Sequence, residues 1–228
     1  MKFGGFIKNS FVDYPNEITA VVFTIGCNFD CWYCHNKELY KDISKLNVID
    51  ESEVLKFLKS RKGMLDGLVI SGGEPTIHPE IKDFIIKVKK LDYKVKLDTN
   101  GTNPKLLKDL IDNKLVDFVA MDIKTDLPKY LSTVGREVKV EDLKQSIKII
   151  MNSKIDYEFR TTFTPDINFE DFENAVKEIA GATSFAIQKY NPQAEDTKHL
   201  TPHTLADFNK ALEIAKKYIP HSFLRSVE

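Results

Sequence analysis

The sequence predicts an α/β chain: an open, partial βα barrel of about six parallel strands with helices outside. Short apolar, β-branched runs recur at crossover spacing, and each is followed by a segment whose apolar residues fall at helical intervals. Six such units are too few to close an eight-stranded barrel. A flat doubly wound sheet is the alternative arrangement, and in either one ligands gather at the carboxyl ends of the strands.

The elements follow in order. Ile18–Ile25 is a β-branched run ended by Gly26, a buried strand feeding a cysteine-bearing loop. Asp50 with Glu53 reads as a capping box for a helix carrying Val54, Phe57 and Leu58. Gly67–Ile70 is the second strand, and Ile81, Phe84, Ile85 and Val88 share one helical face. Val95–Leu97 is the third strand, after which Asn103 and Pro104 supply the N-cap and first residue of a helix reaching Asn113. Val116–Ile123 is the fourth strand, with Leu143, Ile147, Ile150 and Met151 marking the helix beyond it. Ile155–Phe163 is the fifth, followed by a helix from about Asn168 that turns Phe169, Phe172, Val176 and Ile179 inward. Ser184–Gln188 is the sixth, and a last helix begins near Thr201 and carries Leu205, Phe208 and Leu212.

At 228 residues the chain suits a single domain spanning 1–228, with no Gly/Ser-rich linker or low-complexity run to divide it. Thirty-three Lys and Arg against 34 Asp and Glu leave a formal charge of −1, so no global field draws the protein to nucleic acid or anionic lipid. No stretch approaches the roughly 20 apolar residues of a membrane span, and the start MKFGGFIKNSFVDYP does not read as a signal peptide. A cytoplasmic location is expected. The three cysteines lie within eight positions, a poor disulfide framework and a good metal or cluster site.

Cys27-Asn-Phe-Asp-Cys31-Trp-Tyr-Cys34 directly follows the first strand. Three thiolates on one short loop can ligate three irons of a cubane and leave the fourth open to an external chelator. Structural zinc needs four protein ligands, and adjacency to Cys34 makes His35 an awkward fourth. Cys31-Trp-Tyr-Cys34-His35 also spells a c-type haem attachment pattern, which would need export and leave the third cysteine without a role.

CxxxCxxC with an aromatic residue, Tyr33, before the last cysteine resembles the signature of the radical S-adenosylmethionine (SAM) superfamily, whose fold is a partial or full βα barrel. The resemblance implies a [4Fe–4S] cluster on Cys27, Cys31 and Cys34, with SAM chelated at its open iron and cleaved to a 5′-deoxyadenosyl radical. It gives Tyr33 a place in the adenine site. Ser71-Gly72-Gly73-Glu74-Pro75, after the second strand, is by composition a turn that lets backbone approach a ligand; it resembles the superfamily's GGEP motif, which meets the SAM amino group.

Asp98-Thr99-Asn100-Gly101 is similar to the DTNG segment of glycyl-radical-enzyme activases, and Asp122-Ile123-Lys124 to their following D-x-K. Residues two apart on a strand end face one side, so Asp122 and Lys124 can reach one ligand; the resemblance assigns them to polar groups of SAM. It also implies a monovalent cation near the SAM carboxylate, held by Asp98, Thr99, Asp122 and the Ala120 carbonyl. Arg160, inside the fifth strand, points either to the SAM carboxylate or ribose or to the surface. Asn191 stands where related activases carry a histidine. His78 reads as a loop or helix-start residue, and His199, His203 and His221 as surface.

Gly5–Pro15 and Cys34-His35-Asn36 resemble the activating proteins of anaerobic ribonucleoside-triphosphate reductase. That likeness implies a glycyl-radical enzyme as protein substrate and a low-potential electron donor such as flavodoxin or ferredoxin. Few residues remain beyond about His221 to close the open side over a small substrate. The alternative is a small-molecule radical SAM enzyme such as a 7-carboxy-7-deazaguanine synthase. A third reading, an iron–sulfur electron carrier, calls for four protein ligands and no SAM site, against the motifs.

Overall fold

The computed structural model describes residues 1–192 and 201–227. Nine strands form one sheet in the order β3-β1-β2-β4-β5-β6-β7-β8-β9. They are β1 (Lys2–Ser10), β2 (Thr19–Thr24), β3 (Ile49–Asp50), β4 (Gly67–Gly72), β5 (Lys94–Thr99), β6 (Phe118–Asp122), β7 (Asp156–Phe163), β8 (Phe185–Lys189) and β9 (Ser222–Arg225). The helices are α1 (Glu38–Lys41), α2 (Glu51–Ser60), α3 (Ile81–Lys89), α4 (Pro104–Asp112), α5 (Tyr130–Val134), α6 (Val140–Met151), α7 (Phe169–Lys177) and α8 (Leu205–Lys216).

From β2 to β9 every neighbouring pair is parallel, so the six expected strands are there and a seventh is added by the C-terminal Ser222–Arg225. β1 pairs antiparallel with both β2 and β3. β3 and β9 are the sheet's two edges, which keeps the barrel open. The tail expected to contribute little therefore extends the wall. A four-residue strand is too short to show periodicity in sequence.

Alternation within the strands separates the two faces. Leu68 and Ile70 of β4, Val95 and Leu97 of β5, Val119 and Met121 of β6, Phe159 and Phe163 of β7, and Phe185 and Ile187 of β8 are buried in the large core that includes the helices' apolar residues. The opposite face holds a small apolar cluster of Tyr14, Val21, Val69, Phe118 and Ala120. Above it stand the polar residues Lys96, Asp98, Asp122 and Arg160. The main apolar core on one face and a polar interior on the other is the arrangement of a barrel wall and not of a doubly wound sheet.

Local signals hold in part. Asn103 caps α4 by accepting from Leu106 N, with Pro104 at its first position, and Asn168 caps α7 by accepting from Asp171 N. Asp50 is the N-cap of α2 but makes no side-chain cap bond, so the expected capping box is absent. The last helix starts at Leu205, later than expected, where Thr204 and Asp207 form a reciprocal capping box. No helix among the described residues is long and apolar enough to cross a membrane.

Candidate active site

A cavity of about 300 Å³ opens at the carboxyl ends of the parallel strands. Its wall includes Cys27, Cys31, Tyr33 and Cys34 after β2; Gly72, Gly73 and Glu74 at the end of β4; Asp98, Thr99 and Asn100 at the end of β5; Asp122 and Lys124 at the end of β6; and Arg160 on β7. Ala120, whose carbonyl was expected at the cation, is not in the wall but in the small apolar cluster. Arg160 thus faces the cavity and not the outer surface.

The cysteine loop is held at several points. Gly26 N donates to the Leu39 carbonyl at 2.8 Å, and Asp30 N donates to the Val134 carbonyl at 2.8 Å. Phe29, buried within the same loop, packs edge-on to Tyr130. All three cysteines are free thiols. Burial pushes the Cys27 thiol up to about 12 and the Cys31 thiol up to about 11. Among the described residues, no three His, Cys, Asp or Glu side chains form a group able to hold one metal ion. Three soft cysteine sulfurs lining one cavity suit a cluster that takes one ligand at each of three corners.

The two glycines serve a close approach of backbone to backbone within the cavity wall. A Cβ on Gly73 would lie 1.8 Å from the Gly26 carbonyl oxygen, and one on Gly72, where φ is +112°, would lie 2.3 Å from Thr24 N. Without side chains the end of β4 joins the start of the cysteine loop, with Gly73 N donating to the Thr24 carbonyl at 3.0 Å and Glu74 N to the Gly26 carbonyl at 2.9 Å. The Glu74 carboxylate, 1% exposed, is likewise turned into the protein. It accepts from Thr76 N at 3.0 Å, Thr76 Oγ1 at 2.6 Å, Thr99 Oγ1 at 2.8 Å and Asn100 N at 2.6 Å. Burial raises its pKa above the usual range. Glu74 therefore fixes the end of β5 against that of β4.

The inner face carries a continuous ion-pair chain. Lys96 Nζ donates to Asp98 Oδ1 at 2.5 Å, and Arg160 Nη1 donates to Asp98 Oδ2 at 3.1 Å. Arg160 Nε donates to Asp122 Oδ1 at 2.5 Å, and Lys124 Nζ to Asp122 Oδ2 at 2.7 Å. Burial alone would raise both carboxyls; Arg160 and Lys96 hold Asp98 below the usual range, and Arg160 and Lys124 hold Asp122 well below it. Lys124 Nζ also lies 5.9 Å from the Tyr33 ring centroid, and the buried Tyr33 hydroxyl has no hydrogen-bond partner among the described residues.

Several cavity residues have no role assigned from sequence, although Ser71, His35 and Asn36 lie inside segments quoted above. Ser71, Thr162 and Gln188 occupy inward positions on β4, β7 and β8, where strand alternation alone could have found them. Asp13, Phe29, His35, Asn36 and Tyr40 come from loops and a short helix, which carry no such periodicity. Gln188, not Asn191, lines the cavity after the sixth expected strand; Asn191 is exposed. His78 caps a short 3₁₀ turn and His221 is exposed, as expected. His203 is not a plain surface residue: its ring stacks on Phe163 at 3.8 Å, with Nε2 3.0 Å from the Thr164 carbonyl oxygen. His199 lies outside the described residues.

The radical SAM superfamily pattern matches residues 21–179. A Methanocaldococcus jannaschii protein provisionally named a glycyl-radical enzyme activating enzyme is 35% identical over 237 residues, covering 98% of this chain and 95% of its own. The pyruvate formate-lyase-activating enzyme of Clostridium pasteurianum is 28% identical over 191 residues, 79% of this chain and 78% of its own. Among solved structures, Streptococcus suis SuiB bound to S-adenosylmethionine superposes with a TM-score of 0.72 at 19% identity, covering 90% of this chain. This chain spans only 50% of that one. A domain of pyruvate-formate lyase-activating enzyme from Bacteroides vulgatus gives a TM-score of 0.55 at 15% identity, covering 70% of this chain and 99% of its own.

The chain belongs to the radical SAM superfamily and is an enzyme whose family cofactors are a [4Fe–4S] cluster and SAM. The Methanocaldococcus jannaschii relative, matched nearly end to end, carries a name that refers to activation of glycyl-radical enzymes.

Proposed function

We propose that this enzyme generates a glycyl radical on a partner protein, with Cys27, Cys31 and Cys34 holding the cluster and SAM lying in the cavity beside it. The observation that carries this reading is the cavity wall itself: the three thiols and the Asp98–Arg160–Asp122–Lys124 chain face one space at the strand ends. When bound, the cluster supplies the electron that cleaves the sulfonium of SAM to a 5′-deoxyadenosyl radical. The chain's part is to position and shield. Lys124 and Arg160 offer cationic donors to the methionine carboxylate, Tyr33 presents a ring and an unpartnered hydroxyl to the adenosyl end, and Gly72, Gly73 and Glu74 fix the loops that carry the other groups.

The resemblance at Gly5–Pro15 and Cys34–Asn36 supports anaerobic ribonucleoside-triphosphate reductase as the partner and a low-potential flavodoxin or ferredoxin as electron donor. The unpaired sheet edges β3 and β9 leave a side at which an extended glycine-bearing loop enters. Free thiols in the site suit a reducing compartment, the cytoplasm, and we read residues 1–228 as one domain. The test is anaerobic incubation with SAM, a reductant and either the reductase from the same organism or a deazapurine precursor. A glycyl radical seen by electron paramagnetic resonance on the reductase supports the reading. Turnover of the purine with no radical on the reductase moves the assignment to the small-molecule enzyme.

A further inference from the structure

We propose that Lys96 takes the place of the monovalent metal cation expected at Asp98, Thr99 and Asp122, so that this enzyme binds SAM without Na⁺ or K⁺. The inference rests on the reading of the cavity as a SAM site. Lys96 is 2% exposed on the inner face of β5, an exceptional place for a lysine, which is almost never fully buried unless paired. Its position follows from alternation: Lys96 and Asp98 are two apart on one strand and face the same way.

All four carboxylate oxygens at the expected cation site already carry a cationic donor. Asp98 Oδ1 takes Lys96 and Oδ2 takes Arg160, while Asp122 Oδ1 takes Arg160 and Oδ2 takes Lys124. Thr99 Oγ1 is engaged as well, donating to Glu74 and accepting from Gly101 N at 3.1 Å. Each oxygen keeps a further lone pair, but a metal cation taking it would sit beside an ammonium or a guanidinium already held in a buried pair, and like-charge repulsion disfavours that arrangement. Across these residues three cations meet two carboxylates, and the surplus positive charge is what a bound carboxylate requires. The Phe118 ring, 5.8 Å from Lys96 Nζ, packs below it among apolar residues, leaving Asp98 as the ammonium's charged partner.

The experiment is SAM binding by calorimetry, without reductant, to the anaerobically cluster-loaded protein in KCl, NaCl and choline chloride at equal ionic strength. The wild type is expected to show the same affinity within twofold in all three salts, and no protein-dependent broadening of the ²³Na resonance. Lys96→Met uncovers Asp98 Oδ1, and its affinity is expected to fall at least tenfold in choline chloride, recover saturably with added K⁺ or Na⁺, and bring ²³Na broadening with it. A wild type that binds SAM tenfold or more tightly in K⁺ or Na⁺ than in choline overturns the inference and leaves the SAM site standing, as does a Lys96→Met protein that binds SAM normally in choline. Should that variant fail to fold, the wild-type salt series and ²³Na spectrum decide by themselves. Absence of SAM binding in every salt removes the SAM-site reading and the inference with it.

Discussion

Asn100 is fastened to Asn28: its Nδ2 donates to the Asn28 side-chain Oδ1 at 2.8 Å, joining the end of β5 to the cysteine loop. Asn28 in turn donates to Thr102 Oγ1 at 2.8 Å, so one side chain bridges two positions of the β5 loop. One neutral hydrogen bond contributes about 1 kcal/mol to stability. Asn28→Ala is therefore expected to shift the melting temperature little and to quicken iron loss to a chelator severalfold, read by loss of the cluster's visible absorbance. Iron retention equal to wild type would show that the loop is held without this latch.

The contact between Gly73 and the Gly26 carbonyl oxygen leaves no room for a methyl group and involves backbone on both sides. Gly73→Ala must separate β4 from the cysteine loop, at an expected cost of about 3 kcal/mol or more. Gly181, with φ +83° and open space around it, is the control, where alanine costs about 1 kcal/mol from backbone strain alone. Thermal unfolding of the two variants side by side measures the difference.

Removing one partner of a buried ion pair leaves the other charge uncompensated and costs about 3–5 kcal/mol. Lys124→Ala and Asp122→Ala are expected to weaken SAM binding by about 2–5 kcal/mol while iron content stays at the wild-type level. Calorimetry with SAM, beside an iron assay, checks both halves. Wild-type SAM affinity in both variants would mark the pair as structural only.

Acid should unfold the protein partly through this network. Because Arg160 and Lys124 hold the folded Asp122 carboxyl below its ordinary value despite burial, the folded state binds that proton less readily than the unfolded chain. The stabilisation is complete above the unfolded value of about 3.9 and is lost as pH falls through the lower folded value. Melting curves are expected to hold steady from neutral pH to about 5 and then decline below about pH 4. Asp122→Asn, less stable at neutral pH, should lose less over the acid range; an identical acid slope in both proteins would place the titration elsewhere.

What was legible in sequence was what strand alternation and reactive side chains make visible. The cysteine loop was legible from its spacing, Asp98, Asp122 and Lys124 through their resemblance to activase motifs, and Arg160 as a charge inside an apolar strand; all of them line the cavity. Lys96 was passed over because a lysine in a strand ordinarily marks a solvated face; only the neighbouring strands, which bring Arg160 beside Asp98, show that this face is interior. Gly72, Gly73 and Glu74 line the cavity as their motif implies, while their contacts with the cysteine loop and the end of β5 depend on residues distant in the chain. β9 and the stacking of His203 on Phe163 depend on partners distant in the chain, which no local pattern encodes.

The central claim is that Cys27, Cys31 and Cys34 hold a cluster that cleaves SAM in this cavity. Its most direct test is 5′-deoxyadenosine formation from SAM under dithionite, measured by liquid chromatography on anaerobically reconstituted wild type and Cys31→Ala. The account predicts about four irons per wild-type chain, steady production of 5′-deoxyadenosine, and none from Cys31→Ala although the fold survives. Stoichiometric zinc in place of iron, or undiminished 5′-deoxyadenosine from the Cys31→Ala protein, would contradict it.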